Sequence, residues 1–359
     1  MKIREIKARP VIAPLEPPVR TASGHVMAAP LLLIDLATDS GVVGRSYLFG
    51  YQPFTLPPLR DLVVALGGLI AGDVVAPFDL DRKLRARMAL FGTRGLQGMA
   101  LAGIDMAAWD ALAVAAGVPL VTLLGGQPRP IPAYMSLGMI PPDEATDQAA
   151  KAVAAGFRAL KIKIGWPSLG EDLAVVRAAR KSLPDDVGLM IDFNQSLTTP
   201  EAIRRGRTLD AEGVTWIEEP VRADDFGGAA EVAAQVATPI QIGENFNGPG
   251  EMEQALGLKA SDLVMPDVQQ IGGVTGWLRA AALAQMAGVP CSSHLFIEAS
   301  AHLLAVTPTC HWIEYLDVAA PILAEPLRPV DGALQAPARP GIGLLWDEEA
   351  VRRYAREAG

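Results

Sequence analysis

ALKIKIG (159–165), EDLAVVRAARKSL (171–183), GLMIDFN (188–194), TPEAIRRGRTLDAEG (199–213) and TWIEEP (215–220) alternate short β-rich runs with amphipathic segments of helix length. That alternation is the mark of parallel strands joined by crossover helices. The rhythm begins upstream at IPAYMSLG (131–138). It continues through IQIGENF (240–246), LVMPDVQ (263–269), PCSSHLF (290–296) and HWIEYLD (311–317), with GVTGWLRAAALAQMAG (273–288) among the helical segments. Eight strand runs with seven intervening helices predict a closed α/β barrel of the TIM-like (β/α)7β kind, spanning residues 129–317.

Residues 1–128 read differently. LLLIDLAT (31–38), DSG and VVGRSYLF (42–49) form a hairpin pattern, and residues 76–118 are helical, including IDMAAWDALAVAAG (104–117). Strands followed by helices predict a separate α+β domain. The Pro-rich residues 318–359 are expected to return to it.

Half of the 359 residues are hydrophobic, which allows a large core, and the formal charge is -9. No basic stripe is available to neutralise phosphates, which argues against nucleic acid as a partner. A small anionic substrate would need positive charge supplied locally. The most apolar stretch, Gly98 to Leu124, is broken by Asp105, Asp110 and Pro119, so it reads as a buried helix with its exit and no membrane span is expected. MKIREIKARP has no apolar run behind it, so no signal peptide is expected. Cys291 and Cys310 make no disulfide framework, and a reduced cytoplasmic setting is expected.

Catalytic groups in such barrels sit at the C-terminal ends of strands. Asp192, Glu218 and Glu244 end runs three, four and five, each separated by 26 residues, one βα unit. Three carboxylates on adjacent strands must converge. They repel one another unless a cation lies among them, and an all-oxygen ligand set suits Mg²⁺ or Mn²⁺. Run two ends in Lys161-Ile162-Lys163, and residues two apart on a strand share a face, so both ammonium groups point into the mouth. Like charges lower each other's pKa, a route to a neutral lysine base. Asp267 ends run six and His294 run seven. An aspartate accepting from one imidazole nitrogen fixes the tautomer and leaves the other nitrogen as a base. Glu314 ends run eight and is placed to act as an acid toward substrate oxygen.

These residues, with the motifs IDMAAWDAL, KIKIG, IDFNQS, WIEEP, IGEN, MPD, IGGVTGW, SSHLF and HWIEYL, resemble the enolase superfamily and specifically its mandelate racemase subgroup, over nearly the whole chain. The resemblance implies that Asp192, Glu218 and Glu244 hold Mg²⁺ and that Lys163 and the His294–Asp267 dyad are the two bases. It implies that Lys161 neutralises the substrate carboxylate, that Asn194 and Ser136 hydrogen-bond the substrate, that Glu314 donates as an ene-diolate forms, and that Glu219 stands behind the metal ligands. A homo-oligomer is expected.

The capping domain sets specificity in this family. Here PVRTASGHV (18–26) and SYLFGYQPF (46–54) offer Val19, Val26, Leu48, Phe49, Tyr51 and Phe54, with Leu295 and Leu316 from the barrel, an apolar wall suited to an aryl substituent. Ser23 replaces a third lid valine of the subgroup, Arg20 a histidine and Met135 an acidic residue. The resulting expectation is racemisation of mandelate or a related 2-hydroxy acid. An acid-sugar dehydratase is the alternative in the same fold, and a non-catalytic binding protein the alternative of another class.

Overall fold

The structure is a computed structural model that describes residues 1–21 and 24–356. Ser23 lies outside them.

The capping unit is built on an antiparallel sheet of β1 (Ile3–Thr21), β2 (Gly24–Thr38) and β3 (Val43–Phe49), in that order. The β2–β3 hairpin pairs Leu31 with Phe49 and Ala37 with Val43. Leu31, Leu32, Leu33 and Ile34 are all fully buried. Consecutive strand residues point to opposite faces, so both faces of β2 are covered. α1 (Leu56–Ile70), α2 (Pro77–Arg87) and α3 (Leu96–Ala116) follow. A Cβ on Gly44 would lie 2.0 Å from the Ala107 carbonyl oxygen, and one on Gly103 2.6 Å from Ile34 Cδ1. Glycine at both positions is what lets α3 lie directly on the sheet. α3 and the segment Pro53–Ile70 are apolar and long enough to cross a membrane by composition, but 78% of the most apolar 18-residue window of α3 is buried inside the protein. α1 is absent from the sequence reading, where LPPLRDLVVALGGLI carries prolines at its start and a glycine pair that blur its period.

The second unit begins after α4 (Leu120–Leu123) and alternates β4 (Ile131–Leu137), α5 (Pro142–Ala154), β5 (Ala159–Lys163), α6 (Leu169–Ser182), β6 (Gly188–Asp192), α7 (Thr199–Leu209), β7 (Trp216–Glu218), α8 (Phe226–Gln235), β8 (Ile240–Ile242), α9 (Pro249–Gly257), β9 (Leu263–Val264), α10 (Gly273–Ala287), α11 (Ile297–Ala305) and β10 (Ile313–Tyr315). Strands β4 to β9 pair in parallel in chain order, and β10 pairs with β4. Residues 290–294 close the ring. Ser292 N–H donates to Val264 O on one side, while Cys291 N–H donates to Thr309 O and Ser293 N–H to Trp312 O on the other. The barrel is therefore (β/α)7β, with its seventh strand reduced to single bridges.

Alternation sorts each strand. Leu160 and Ile162 join the core between strands and helices, whereas Tyr134, Ala159, Met190 and Trp216 form a separate plug inside the barrel. Above that plug the inward positions become charged. The tail pairs β11 (Ala333–Leu334) with β4 and then α12 (Glu348–Tyr354) returns along the capping sheet, where Arg9 bridges to Glu348 at 2.7 Å.

The regular strands are shorter than the sequence runs. Three of the expected strand-end residues, Glu244, Asp267 and His294, lie beyond the strands in loops. Asp267 and His294 are still joined to each other by a single parallel bridge.

Candidate active site

Asp192 closes β6 and pairs in register with Lys163 on β5 and Glu218 on β7. Glu244 does not share that register. Glu218 stands opposite Gln241, and Glu244 comes three residues later, after Gly243 at φ 139° has turned the chain. That conformation is open to glycine and strained for other residues. One carboxylate oxygen from each of the three acids still lies within 4.8 Å of the other two. Glu244 Oε2 is buried without a hydrogen-bond partner. Three converging oxygen ligands, one of them with an unsatisfied buried oxygen, fit a hard divalent cation.

Lys161 is fully buried and bridges to Glu218 and, at 2.8 Å, to Glu314, with its ammonium 5.4 Å above the Tyr134 ring. Lys163 reaches Asp192 Oδ2 at 2.5 Å. Lys161 does depress Lys163, as expected, but the net shift does not give a neutral lysine here. Burial lowers the Lys163 ammonium most and Lys161 lowers it too, but Asp192, with Glu244 and Glu314, together hold it above its ordinary value. Lys161 is also held well above its ordinary value: burial opposes the charge, and Glu218 and Glu314 restore it. A divalent cation among these acids acts in the opposite sense, because it competes for the same carboxylate charge.

His294 Nδ1 lies 2.7 Å from Asp267 Oδ2, and Asp267 is itself held by the Gln269 N–H at 2.7 Å. The free Nε2 faces the acids, 3.3 Å from Glu244 and 3.8 Å from Glu314. Burial alone lowers His294, but Glu244, Glu314 and Asp267 raise it to about 10. Burial, reinforced by Asp192, lifts the Glu218 carboxyl to about 7 against the pull of Lys161. Glu314 is an acceptor in this arrangement. It takes hydrogen bonds from Lys161 and from the Leu295 N–H, and although burial favours its protonated form, Lys161 and His294 hold it well below the usual carboxylate range.

Asn194, at φ 44°, donates from its backbone N–H and its side-chain amide to Asp192, at 2.7 and 3.0 Å, which leaves its buried Oδ1 without a partner. Ser136 Oγ is also buried and unpartnered. The Glu219 side chain is linked to Glu244 through Asn245, whose amide donates to both Glu219 oxygens and, at 3.3 Å, to Glu244. Gln241 and Asn245 are absent from the sequence reading. Inward parity on β8 is the signal that points to Gln241.

A cavity of about 780 Å³ opens between the β1–β2 hairpin and the β4–β10 edge of the mouth, with Val19, Met135, Ser136 and Leu316 in its wall. Arg20, His25 and Arg328 add charge and polarity to it. The other expected lid residues do not line this cavity. Val26 pairs with Val19 across the hairpin and is not part of the wall. Tyr51 does not line this cavity but stands beside the His294–Asp267 side of the mouth, its hydroxyl 3.4 Å from the Gln269 amide. Burial raises that hydroxyl, and Asp267 and Glu244 are close enough for their charge to raise it further. Leu295 is buried at φ 47°, with its N–H turned to Glu314. Leu48 and Phe49 are buried in the cap core and Phe54 is exposed at the surface. Composition marks these residues as apolar, but only the fold decides which way each one faces.

Two family models match the chain: the mandelate racemase / muconate lactonizing enzyme N-terminal domain over residues 3–125, and the enolase C-terminal domain-like model over residues 144–350. An enolase from Bradyrhizobium, solved in complex with magnesium and mandelic acid, is 46% identical, with a TM-score of 0.97 and 99% of each chain covered. An enolase from an alpha proteobacterium, solved with bound magnesium, is 43% identical, with a TM-score of 0.96 and 99% of each chain covered. The L-talarate/galactarate dehydratase of Salmonella typhimurium is 34% identical over 77% of this chain and 71% of its own. The chain belongs to the enolase superfamily, in its mandelate racemase/muconate lactonizing enzyme subgroup.

Proposed function

We propose that the protein abstracts the α-proton of a small carboxylate with Mg²⁺ as cofactor, and that the reaction is racemisation of mandelate or a related 2-hydroxy acid, an isomerase activity. The observation that carries this is the placement of two bases on separate barrel strands beside one carboxylate triad: Lys163 on β5, and His294 at the end of the seventh strand, three strands away around the ring, held by Asp267 from the sixth.

Asp192, Glu218 and Glu244 would hold the Mg²⁺, and Mn²⁺ has the same ligand preference. When bound, the ion supplies positive charge beside the carboxylate oxygens, where negative charge grows as the α-proton leaves. Lys161 adds a fixed positive charge on the same side. Lys163 Nζ and His294 Nε2 each take or return a proton, one on each face of the α-carbon. Asp267 keeps the imidazole turned so that Nε2 is the reacting nitrogen. The unpartnered Asn194 Oδ1 and Ser136 Oγ are suited to substrate hydroxyl or carboxyl groups. Glu314 can donate only after gaining a proton, which substrate entry beside Lys161 would have to promote.

The apolar side chains of Val19, Met135 and Leu316 favour a hydrophobic substituent over a hydroxylated one, because a buried hydroxyl needs a partner. The mandelic acid complex of the Bradyrhizobium enolase supports the same substrate class. Arg20, His25 and Arg328 in the same wall favour the second reading, dehydration of an acid sugar, as does similarity to the talarate/galactarate dehydratase. Incubation with a panel of aryl hydroxy acids and acid sugars in the presence of Mg²⁺, read by polarimetry and by a keto-acid assay, separates the two. Loss of optical rotation with mandelate supports the first. Keto-acid formation from an aldarate with no racemisation of any aryl substrate overturns it.

A further inference from the structure

The loop that follows Lys163 is held by an unusually complete polar network. The Asp172 carboxylate, fully buried, accepts from the N–H groups of Gly165 and Trp166, both at 2.9 Å. Arg205 clasps the other Asp172 oxygen at 2.5 Å and donates to the Trp166 carbonyl at 2.9 Å. Trp166 is thus fixed three residues beyond Lys163. Its ring receives the guanidinium of Arg20, 4.6 Å from the ring centre. Arg20 belongs to β1 in the cap and lies in the wall of the cavity.

A second contact holds the same stretch of β1 to the barrel. The Met139 N–H, just past β4, donates to the Arg20 carbonyl at 2.7 Å. The backbones approach so closely that a Cβ on Gly138 would lie 2.7 Å from the Arg20 carbonyl oxygen and 2.8 Å from its nitrogen. No ion pair to Arg20 is present among the described residues, so the aromatic face is the partner the structure gives its charge.

We propose that Trp166 is a docking platform through which Arg20 fastens the capping arm to the loop behind Lys163, making Arg20 and Trp166 positioning residues that hold the cavity wall against the strand carrying one base. Whichever carboxylate is the substrate, the arm then shares a rigid support with Lys163. A planar guanidinium on an indole face suits this task, and a lysine keeps the charge but loses the stacking.

The test is amide hydrogen exchange in the full-length Mg²⁺-loaded protein without substrate, read at the Met139 amide and compared with the Gly165 and Trp166 amides. A cation–π contact at a partly exposed site corresponds to roughly two- to five-fold in an opening equilibrium. Arg20→Gln and Trp166→Leu should each speed exchange at Met139 by that factor. The double variant should be no faster than the faster single one, because both remove the same contact. Arg20→Lys should lie between the parent and Arg20→Gln. If Trp166→Leu also loosens the Gly165 amide, Arg20→Gln alone decides, since it leaves the loop network intact. Unchanged Met139 exchange in Arg20→Gln, or single effects that multiply in the double variant, would overturn the proposal.

Discussion

Gln241 stands opposite Glu218 across β7 and β8, and its side-chain amide donates to Glu218 Oε2 at 3.1 Å. The same Glu218 oxygen accepts from Trp216 Nε1 at 3.1 Å, so one oxygen of this ligand is fixed from two sides and the other is left toward Lys161 and the acids. Removing the amide frees the carboxylate to rotate. Partners that orient a metal ligand are typically worth 10- to 100-fold in affinity. Gln241→Leu should therefore weaken Mg²⁺ binding by roughly 10- to 100-fold, measured by calorimetric titration, with the fold unchanged by circular dichroism. An unaltered affinity would show that Glu218 is positioned without it.

Metal removal makes a second prediction that needs no substrate. A ligand that binds only the folded protein stabilises it by about 2.7 kcal/mol at a hundredfold excess over Kd. Mg²⁺ should raise the melting temperature of the parent, and EDTA should reverse the rise and abolish turnover. Glu244→Gln, which keeps the shape but removes one charge, should respond much less to Mg²⁺. An equal thermal response in this variant would remove Glu244 from the ligand set.

Part of the site was legible from spacing alone, and the rest was not, for reasons particular residues make plain. Asp192 and Glu218 lie in true register, so a spacing of one βα unit locates both correctly. Glu244 has the same spacing but a different register, because Gly243 turns the chain before it, and a sequence shows the interval without the turn. The lysine pair was visible as two like charges, whereas the acids pressed against it, which reverse the direction of the pKa shift, belong to other strands. The hairpin fared worst. The register of β1 against β2 shifts between Pro14 and Val19, and beyond such a shift alternation no longer says which side chain faces the cavity. Val19 thus lines it and Val26 does not.

The cap is tied to the tail by Asp110 of α3. Its two oxygens accept from the backbone N–H groups of Ile342 and Arg45, at 2.5 and 2.7 Å. Burial raises this carboxyl from 3.8 to about 7, against the lowering effect of those two donors. A group whose folded pKa lies above its unfolded value stabilises fully below the unfolded pKa and loses that contribution as pH rises through the folded one. The contribution of Asp110 should fall between about pH 4 and about pH 7 and stay level above that. Asp110→Asn cannot accept from both donors and should cost about 1–3 kcal/mol at neutral pH. The parent's advantage over this variant, from denaturant midpoints, should shrink as pH rises across that window. An advantage that stays level across that window would mean the carboxylate is ionised throughout it and its folded pKa is not raised.

The two proposed bases are separable by isotope exchange. Lys163 and His294 sit on strands three apart, and each is held by its own acid, Asp192 at 2.5 Å and Asp267 at 2.7 Å. Replacing His294 with Asn removes one base while Lys163, Lys161 and the three metal-binding carboxylates remain. Racemisation needs both faces of the α-carbon and should fall by the roughly 10²- to 10⁴-fold typical of losing a general acid–base group. Lys163 should nevertheless still take the proton from one enantiomer and return it to the same face. In D₂O, one enantiomer of mandelate should then exchange its α-hydrogen with retention while the other stays inert. Lys163→Ala should show the opposite preference, and Asp267→Asn should resemble His294→Asn in a milder form, because the imidazole keeps its place but loses its fixed tautomer. NMR of each enantiomer with each variant reads the result directly. Equal exchange of both enantiomers by the His294 variant, or racemisation at the parental rate, would leave a single base serving both faces, which the separation of these two side chains around the barrel does not allow.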